Sequence, residues 1–422
     1  MADSNSGKIG VLTATITGMN AMIGSGIFTA PAALAVGVGP AGILTYLFVV
    51  CAIWFMAQSI AKVASLFPQE GSFYAYAKHW GGHYVGVAAG SFYIIGLTIA
   101  LGVLSHVAGK YMLPFFPGFD PKILGFLALG ALVLLNMFGA VLSQIGQRIL
   151  ICTTVFPILT IIFMCFTKAD TSLLTPFAPH GYFSVASASR IVIFGFFGFE
   201  SAASLFNIVR NPKKNVPRAL NYSMIIVGTL YILFVSAIIL AVPLNLFTSA
   251  DTTLTEALTP IFPNSGWLIT TIHFAILSAI LGTIHSIIWS ASSLLGSLVK
   301  NLKSNFAKKL VRQKTINTRT SVLFIGIATF ISFATIRNLD LFFDFTAIFL
   351  VAAYVSAMIT LLTIKKEWTS GQNIKTILGI GTALLIMIFA LQDVVTQLSP
   401  KHSPQQQEVT EQTTNDTEKL ID

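Results

Sequence analysis

Apolar residues in this chain come in long runs, and polar residues gather in short stretches between them. A helix that crosses a bilayer needs about 20 largely apolar residues in succession. Eleven segments meet that requirement: 9–37, 41–66, 84–112, 122–142, 147–167, 185–208, 219–242, 267–299, 320–337, 341–363 and 374–396. A membrane β-barrel would show segments of about ten alternating residues instead. The pattern predicts an all-α integral membrane protein with about eleven transmembrane helices in one domain, 9–396. Residues 1–8 read as a short cytoplasmic N-terminus, and 397–422, rich in Gln, Thr and Glu, as a disordered C-terminal tail. Several segments exceed a perpendicular span, so tilts or breaks are expected.

Composition agrees. The chain has 422 residues, 55% hydrophobic and 10% charged, where a soluble domain carries about 25% charged residues. Lipid must be the solvent for much of the surface. A net charge of +9 would suit nucleic acid, but the basic residues sit in short loops between apolar runs, which argues against such a partner. With the N-terminus in the cytoplasm, 18 of the 25 Lys and Arg residues fall on or near the inside, as the positive-inside rule requires. Eleven spans then leave the C-terminus outside. No cleavable signal peptide stands out, so the first span serves as the insertion signal. Short tails without sorting signals point to a bacterial inner membrane. Cys51, Cys152 and Cys165 lie in apolar runs at unrelated spacings, a pattern of buried hydrophobes rather than of disulfides or a metal.

Two segments contain glycines where a membrane helix should be continuous. The first carries Gly24-Ser25-Gly26 between Ile23 and Ile27, followed by Pro31. Glycine costs about 1 kcal/mol relative to alanine inside a helix. Small residues are also common where membrane helices touch. Irregular backbone at mid-membrane depth, however, is tolerated only where it lines a cavity or is buried in protein. The sixth segment carries Gly195-Phe196-Phe197-Gly198-Phe199-Glu200, and an ionisable group inside a span is a functional candidate by default. If spans 1–5 and 6–10 are inverted repeats, the two clusters occupy matching positions, the best sequence pointer to a transporter site. Such a break suits a zwitterion. A half-helix N-terminus offers free N–H groups and a positive dipole end to a carboxylate, and the preceding C-terminus offers carbonyls to an ammonium.

These stretches resemble known motifs. Residues 18–31, GMNAMIGSGIFTAP, residues 68–78, PQEGSFYAYAK, and residues 195–217, GFFGFESAASLFNIVRNPKKNVP, are similar in order and spacing to motifs of the amino acid–polyamine–organocation transporter family, nearest to its basic amino acid/polyamine antiporter branch. The resemblance is clear over 9–300. It implies a LeuT-type fold of two inverted five-helix repeats, about 9–167 and 185–363, with helices 1 and 6 broken, an extra helix at 374–396, and alternating access. It further implies that the backbone N–H groups of Ser25, Gly26 and Ile27, within the break opened by Ile23, hold a substrate carboxylate. Carbonyls of Met22, Phe194 and Phe197 would hold its amino group. Phe194 matches an aromatic gate position and Glu200 the family's helix-6 acid, a gating group. Leu101 and Ile287 align where arginine exchangers carry Asn and Trp, so with Phe194 they predict an apolar pocket and a neutral or apolar amino acid.

Phe156-Pro157 also resembles the antiporter branch. The Lys that proton-coupled relatives often carry near there is missing, which leans toward exchange over proton symport. His285, in the middle of the eighth segment near Thr283 and Ser286, is a proton-coupling candidate, with a hydrogen-bonded structural histidine the commoner reading. Asp344 reads foremost as an interfacial residue that reaches water, and Glu70 as part of an inner gate or loop. No nucleophile–base–acid set and no phosphate-binding glycine loop emerges, so neither an enzyme nor an ATP-driven pump is expected, and no cofactor or metal. The expected partners are a small amino acid and the lipid bilayer, with a homodimer open. The competing readings are a polyamine or organic-cation carrier and a non-transporting membrane sensor of amino acids.

Overall fold

The computed structural model describes residues 8–24, 26–67, 72–138, 140–204, 209–248, 252–263, 266–313, 317–364 and 370–399. Among them the chain is helical throughout, apart from short turns and a single bridge between Ile9 and Val209. The helices are α1 (Val11–Met22), α2 (Gly26–Gly37), α3 (Gly42–Leu66), α4 (Ser72–Met112), α5 (Pro121–Met137), α6 (Ala140–Phe166), α7 (Tyr182–Ser187), α8 (Ser189–Phe194), α9 (Ser201–Ser204), α10 (Pro212–Ala241), α11 (Leu254–Leu258), α12 (Gly266–Asn301), α13 (Asn305–Arg312), α14 (Thr318–Thr335), α15 (Leu339–Thr363) and α16 (Ser370–Leu398).

Nine helical stretches among the described residues are long and apolar enough to cross a membrane, α1 and α2 counting together as one. They match nine of the eleven expected segments. The other two, 122–142 and 185–208, contain shorter apolar helices, Pro121–Met137 and Tyr182–Phe194. The second is short because α8 ends at Phe194 and turns follow it. The chain is thus a multi-pass helical membrane protein. Its outer faces carry Phe156, Phe163, Ile225, Ile388 and Val395, each more than half exposed, which suits lipid and would be costly against water. The third segment starts earlier than expected, because α4 runs on from Ser72 through a kink at Gly82, whose φ of 76° lies in the left-handed region. The expected tail begins inside α16, which reaches Leu398, and its residues 400–422 lie outside the described residues.

α1 sits at the centre, packed against α6, α9, α10 and α12, while α2 rests on α8. α4 lies along α15, α5 and α12, and α3 along α10 and α16. Close packing of α1 is possible because it is lined with small and short polar residues. Thr13, Ala14, Thr17, Gly18 and Ala21 are all buried, the kind of surface that lets membrane helices approach.

Candidate functional site

α1 stops at Met22 in mid-segment. Ile23 leaves helical geometry with φ −76° and ψ 83°, and α2 starts at Gly26. A helix end leaves its last carbonyls without intrahelical partners, and within a membrane each unsatisfied group costs several kcal/mol. Here the carbonyls of Met19, Asn20, Met22 and Ile23 each have a donor. The Ile23 N–H donates to the Met19 carbonyl and the Gly24 N–H to the Met22 carbonyl, both at 2.8 Å. The Thr283 hydroxyl from α12 lies 2.7 Å from the Asn20 carbonyl and 2.9 Å from that of Ile23. The Tyr231 hydroxyl from α10 lies 2.8 Å from the Met22 carbonyl and 3.0 Å from that of Gly195. One tyrosine therefore ties the two broken segments together.

The glycines are there for close approach. A Cβ on Gly26 would stand 2.6 Å from the Gly195 Cα, and one on Gly24 would stand 2.8 Å from the Thr283 hydroxyl. Gly198 has φ +101°, and a Cβ there would meet the Ala21 carbonyl at 2.6 Å. The first break is thus pressed against the second, backbone to backbone. From Gly195 to Ser201 the sixth segment proceeds by turns in which an N–H reaches back three residues, such as Phe197 to Phe194 at 3.3 Å and Ser201 to Gly198 at 2.9 Å.

Glu200 follows these turns and is buried, with 1% of its surface exposed. A buried carboxyl group is tolerable only when hydrogen-bonded. The Tyr93 hydroxyl of α4 donates to its Oε1, and the Tyr354 hydroxyl of α15 to its Oε2 at 2.8 Å. Tyr93 and Tyr354 are themselves buried among Phe73, Phe197 and Phe199. Glu200 thereby joins the second break to α4 and α15.

A void of about 10 Å³ sits in the angle of the breaks, lined by Ala21, Met22, Gly24, Gly26, Ala100, Leu104, Phe194, Phe197, Thr283 and Ile287. That is about the minimum that holds one water molecule. Above it opens a cavity of about 510 Å³, walled by Gly26, Thr29 and Ala33 of α2, by Lys110 and Tyr111 of α4, by Arg190 and Phe194 of α8, by Glu256, His273 and Phe343, and by further residues of the α10–α12 connection. Gly26 and Phe194 belong to both spaces. Phe194 is therefore the partition between vestibule and void. Its ring stands edge-on to Phe343 at 4.4 Å and to Phe197 at 6.2 Å.

Of the residues singled out from the sequence, the structure gathers Met22, Gly26, Phe194 and Phe197 around the void and buries Ile23 and Ile27 beside it. The Met22 carbonyl already accepts from Gly24 and Tyr231, and that of Phe194 from Phe197. Ser25 and Glu70 lie outside the described residues. His285 is on the opposite side of α12 from Thr283 and Ile287. Its Nδ1 lies 2.8 Å from the Asn136 amide nitrogen, and its Nε2 approaches Gly146. It faces α5 and α6, away from the void. Leu101 does not line the void, whereas its helix neighbours Ala100 and Leu104 do, because one residue along a helix turns a side chain by about 100°. Asp344 is not an interfacial residue reaching water: it is buried, at 1% exposure, and paired with Arg190 at 3.2 Å.

Sequence reasoning missed Tyr231, Tyr93, Tyr354 and Phe343. Each is an aromatic residue in an apolar run, and no local signal separates it from core packing. No group of three or more His, Cys, Asp or Glu side chains placed to hold a metal occurs among the described residues.

Compared with known proteins, the chain matches the family model described as amino acid permease over residues 9–413. It is 26% identical over 290 residues to an uncharacterized transporter of Mycobacterium tuberculosis (strain H37Rv), covering 68% of this chain and 64% of the relative. It is 26% identical over 265 residues to the branched-chain amino acid permease BcaP of Bacillus subtilis, covering 58% and 57%. With the glutamate/serine transporter AimA of Bacillus subtilis it shares 25% identity over 424 residues, covering 91% and 77%. The chain thus spans less than two thirds of the length of the first two relatives.

Proposed function

This chain belongs to the amino acid permease family, and from that premise we propose that it carries amino acids across a membrane by alternating access. The observation behind this reading is the meeting of two interrupted helices, Gly26 against Gly195, beneath Phe194 and the vestibule. The first turn of α2 has N–H groups that helix geometry leaves without intrahelical partners, including those of Gly26 and Ile27. With the Ser25 N–H they hold the substrate carboxylate at the positive end of the helix dipole. Carbonyls at the end of α1 and at Phe194 and Phe197 hold the ammonium. At Met22 the ammonium replaces the Tyr231 hydroxyl, one donor for another, so substrate arrival is felt by α10.

A void of 10 Å³, room for about one water molecule, admits no amino acid. Entry requires Phe194 to swing aside, and its return covers the substrate. The bundle then rocks in the manner of two inverted five-helix repeats, which opens the N-terminal side. We assign that side to the cytoplasm of a bacterial inner membrane. Glu200 acts as a gating group, linking the second break to α4 and α15 through its two tyrosines.

The side-chain wall of the void, Ala100, Leu104, Phe197 and Ile287, favours a neutral, apolar amino acid. The name of BcaP points the same way. A glutamate side chain, suggested by the name of AimA, would bury its charge without a cationic partner in this wall. Coupling is by exchange or by proton symport, with exchange favoured.

The test is a substrate screen with the full chain in proteoliposomes, with and without internal amino acid and with an imposed proton gradient. Uptake of leucine, isoleucine or valine that depends on internal amino acid is the expected result. Uptake of polyamines with no amino acid transported would replace this reading with that of an organic-cation carrier. Binding of amino acid without flux under any gradient would indicate a sensor.

A further inference from the structure

α8 is a short helix that ends on the lid residue Phe194. Arg190 lies four residues earlier, on the same face and one turn farther out. Both residues face α15. Phe194 meets Phe343, and Arg190 Nη1 meets Asp344 Oδ1 at 3.2 Å. The two contacts are rungs between the same pair of helices, one aromatic and one ionic. The ionic rung extends to α16, because the same Nη1 lies 2.9 Å from Asp393 Oδ2. The Gln397 amide nitrogen stands 2.6 Å from Asp393 Oδ2 and 3.5 Å from Asp344 Oδ2, and the Gln397 amide oxygen accepts from Asn338 at 3.1 Å.

The burial of the three charged groups differs. The Asp344 side chain is 1% exposed, whereas those of Arg190 and Asp393 are 23% and 25% exposed. Arg190 also lines the vestibule. A carboxylate as deeply buried as Asp344 is held there by its cation, while the Asp393 end of the cluster is open to exchange with water. Below Phe194 the chain turns at Gly195 and at Gly198, the latter with φ +101°, so α8 can pivot only if its hold on α15 and α16 yields.

We propose that Arg190, Asp344 and Asp393 form a latch on the vestibule side. As positioning residues they hold α8, and with it Phe194, over the substrate site. The latch makes α16, which lies outside the two repeats, a working part of the gate. This inference rests on the transport reading for the identity of what passes the gate, and its test is chosen to stand without that reading.

The reporter is a cysteine at Ala100, which lies in the void beneath Phe194, in a full chain whose Cys51 and Cys152 are serine. A membrane-impermeant maleimide reaches it from the vestibule only when the lid is raised. Phe194→Ala removes the lid and sets the upper limit of labelling. Asp393→Asn weakens the latch at its water-exposed end, where misfolding is least expected. It is expected to speed labelling about five-fold, as the loss of one modest contact allows. Arg190→Gln is expected to exceed that, and Arg190→Lys to restore part of the parental rate.

A labelling rate in Asp393→Asn and Arg190→Gln within experimental error of the parent, while Phe194→Ala accelerates it, overturns the latch. Equal rates in all variants, Phe194→Ala included, overturn latch and lid together. Faster labelling in a protein that transports none of the amino acids offered leaves the latch standing and removes the transport reading alone.

Discussion

α1 ends at Met22 and α2 begins at Gly26, whereas α8 ends at Phe194 and α9 begins only at Ser201, with turns between them. Three carbonyls at the first break, those of Asn20, Met22 and Ile23, accept from outside, from Thr283 and Tyr231 on two different helices. The second break satisfies much of its own backbone by short-range turns and carries the bulky parts, three phenylalanines and a buried carboxyl group. The first is braced by its neighbours and offers little but backbone. The second carries its own turns, and its flanking helix α8 reaches its neighbours through side chains. A braced break suits a binding cradle, and one whose backbone is closed largely by its own turns suits a hinge. On the proposed reading, the two ends of a substrate would meet unequal surfaces, one fixed and one that moves.

The largest test of this contrast is Gly26→Leu. Its Cβ would lie 2.6 Å from the Gly195 Cα, backbone that cannot turn aside as a side chain can. Displacing the cradle by about 1 Å can cost roughly 100-fold in rate. Uptake in vesicles should fall by at least that factor. Gly37→Leu, at a position with nothing within 4 Å, should transport as the parent does. Parental uptake by Gly26→Leu would remove the cradle.

Glu200→Gln strikes the moving side. Glutamine has one side-chain oxygen for the two tyrosine hydroxyls that now donate to the carboxylate, so one loses its acceptor, a loss of about 1–3 kcal/mol. The melting temperature should drop, and the pH profile of exchange should flatten. A profile superimposable on the parent's would deny Glu200 any part in protonation and leave it a structural anchor.

The smallest effect is expected from Tyr231→Phe. The Met22 carbonyl keeps its Gly24 donor, so the change removes a bridge worth about 1 kcal/mol. Transport should persist with a modest shift in KM. A loss as large as that in Gly26→Leu would mean that the first break depends on one hydroxyl, and the contrast between braced and hinged breaks would fail.

Much of this was legible beforehand, for local reasons. The break at Gly24–Gly26 showed because glycine is costly inside any helix and was set in an apolar run. Glu200 showed because a carboxyl group inside a span is conspicuous. Leu101 misled for a geometric reason: reading a pocket from aligned letters requires the rotation of α4 about its axis, which packing sets. His285 stood close to Thr283 along the chain but across the helix from it. Asp344 looked like a residue near a helix end, and its guanidinium partner, 154 positions away, left no mark nearby.

By itself the sequence determined where the chain enters lipid, where two of its helices must break, and which family it joins. Those properties follow from the composition of some twenty neighbouring residues, or from short motifs. Only the tertiary structure decided what closes the breaks. Tyr231 reaches Met22 across 209 positions and Thr283 reaches Ile23 across 260. A carbonyl at the end of a helix requires some donor, but which hydroxyl supplies it depends on how the helices pack, and no run of adjacent residues encodes that.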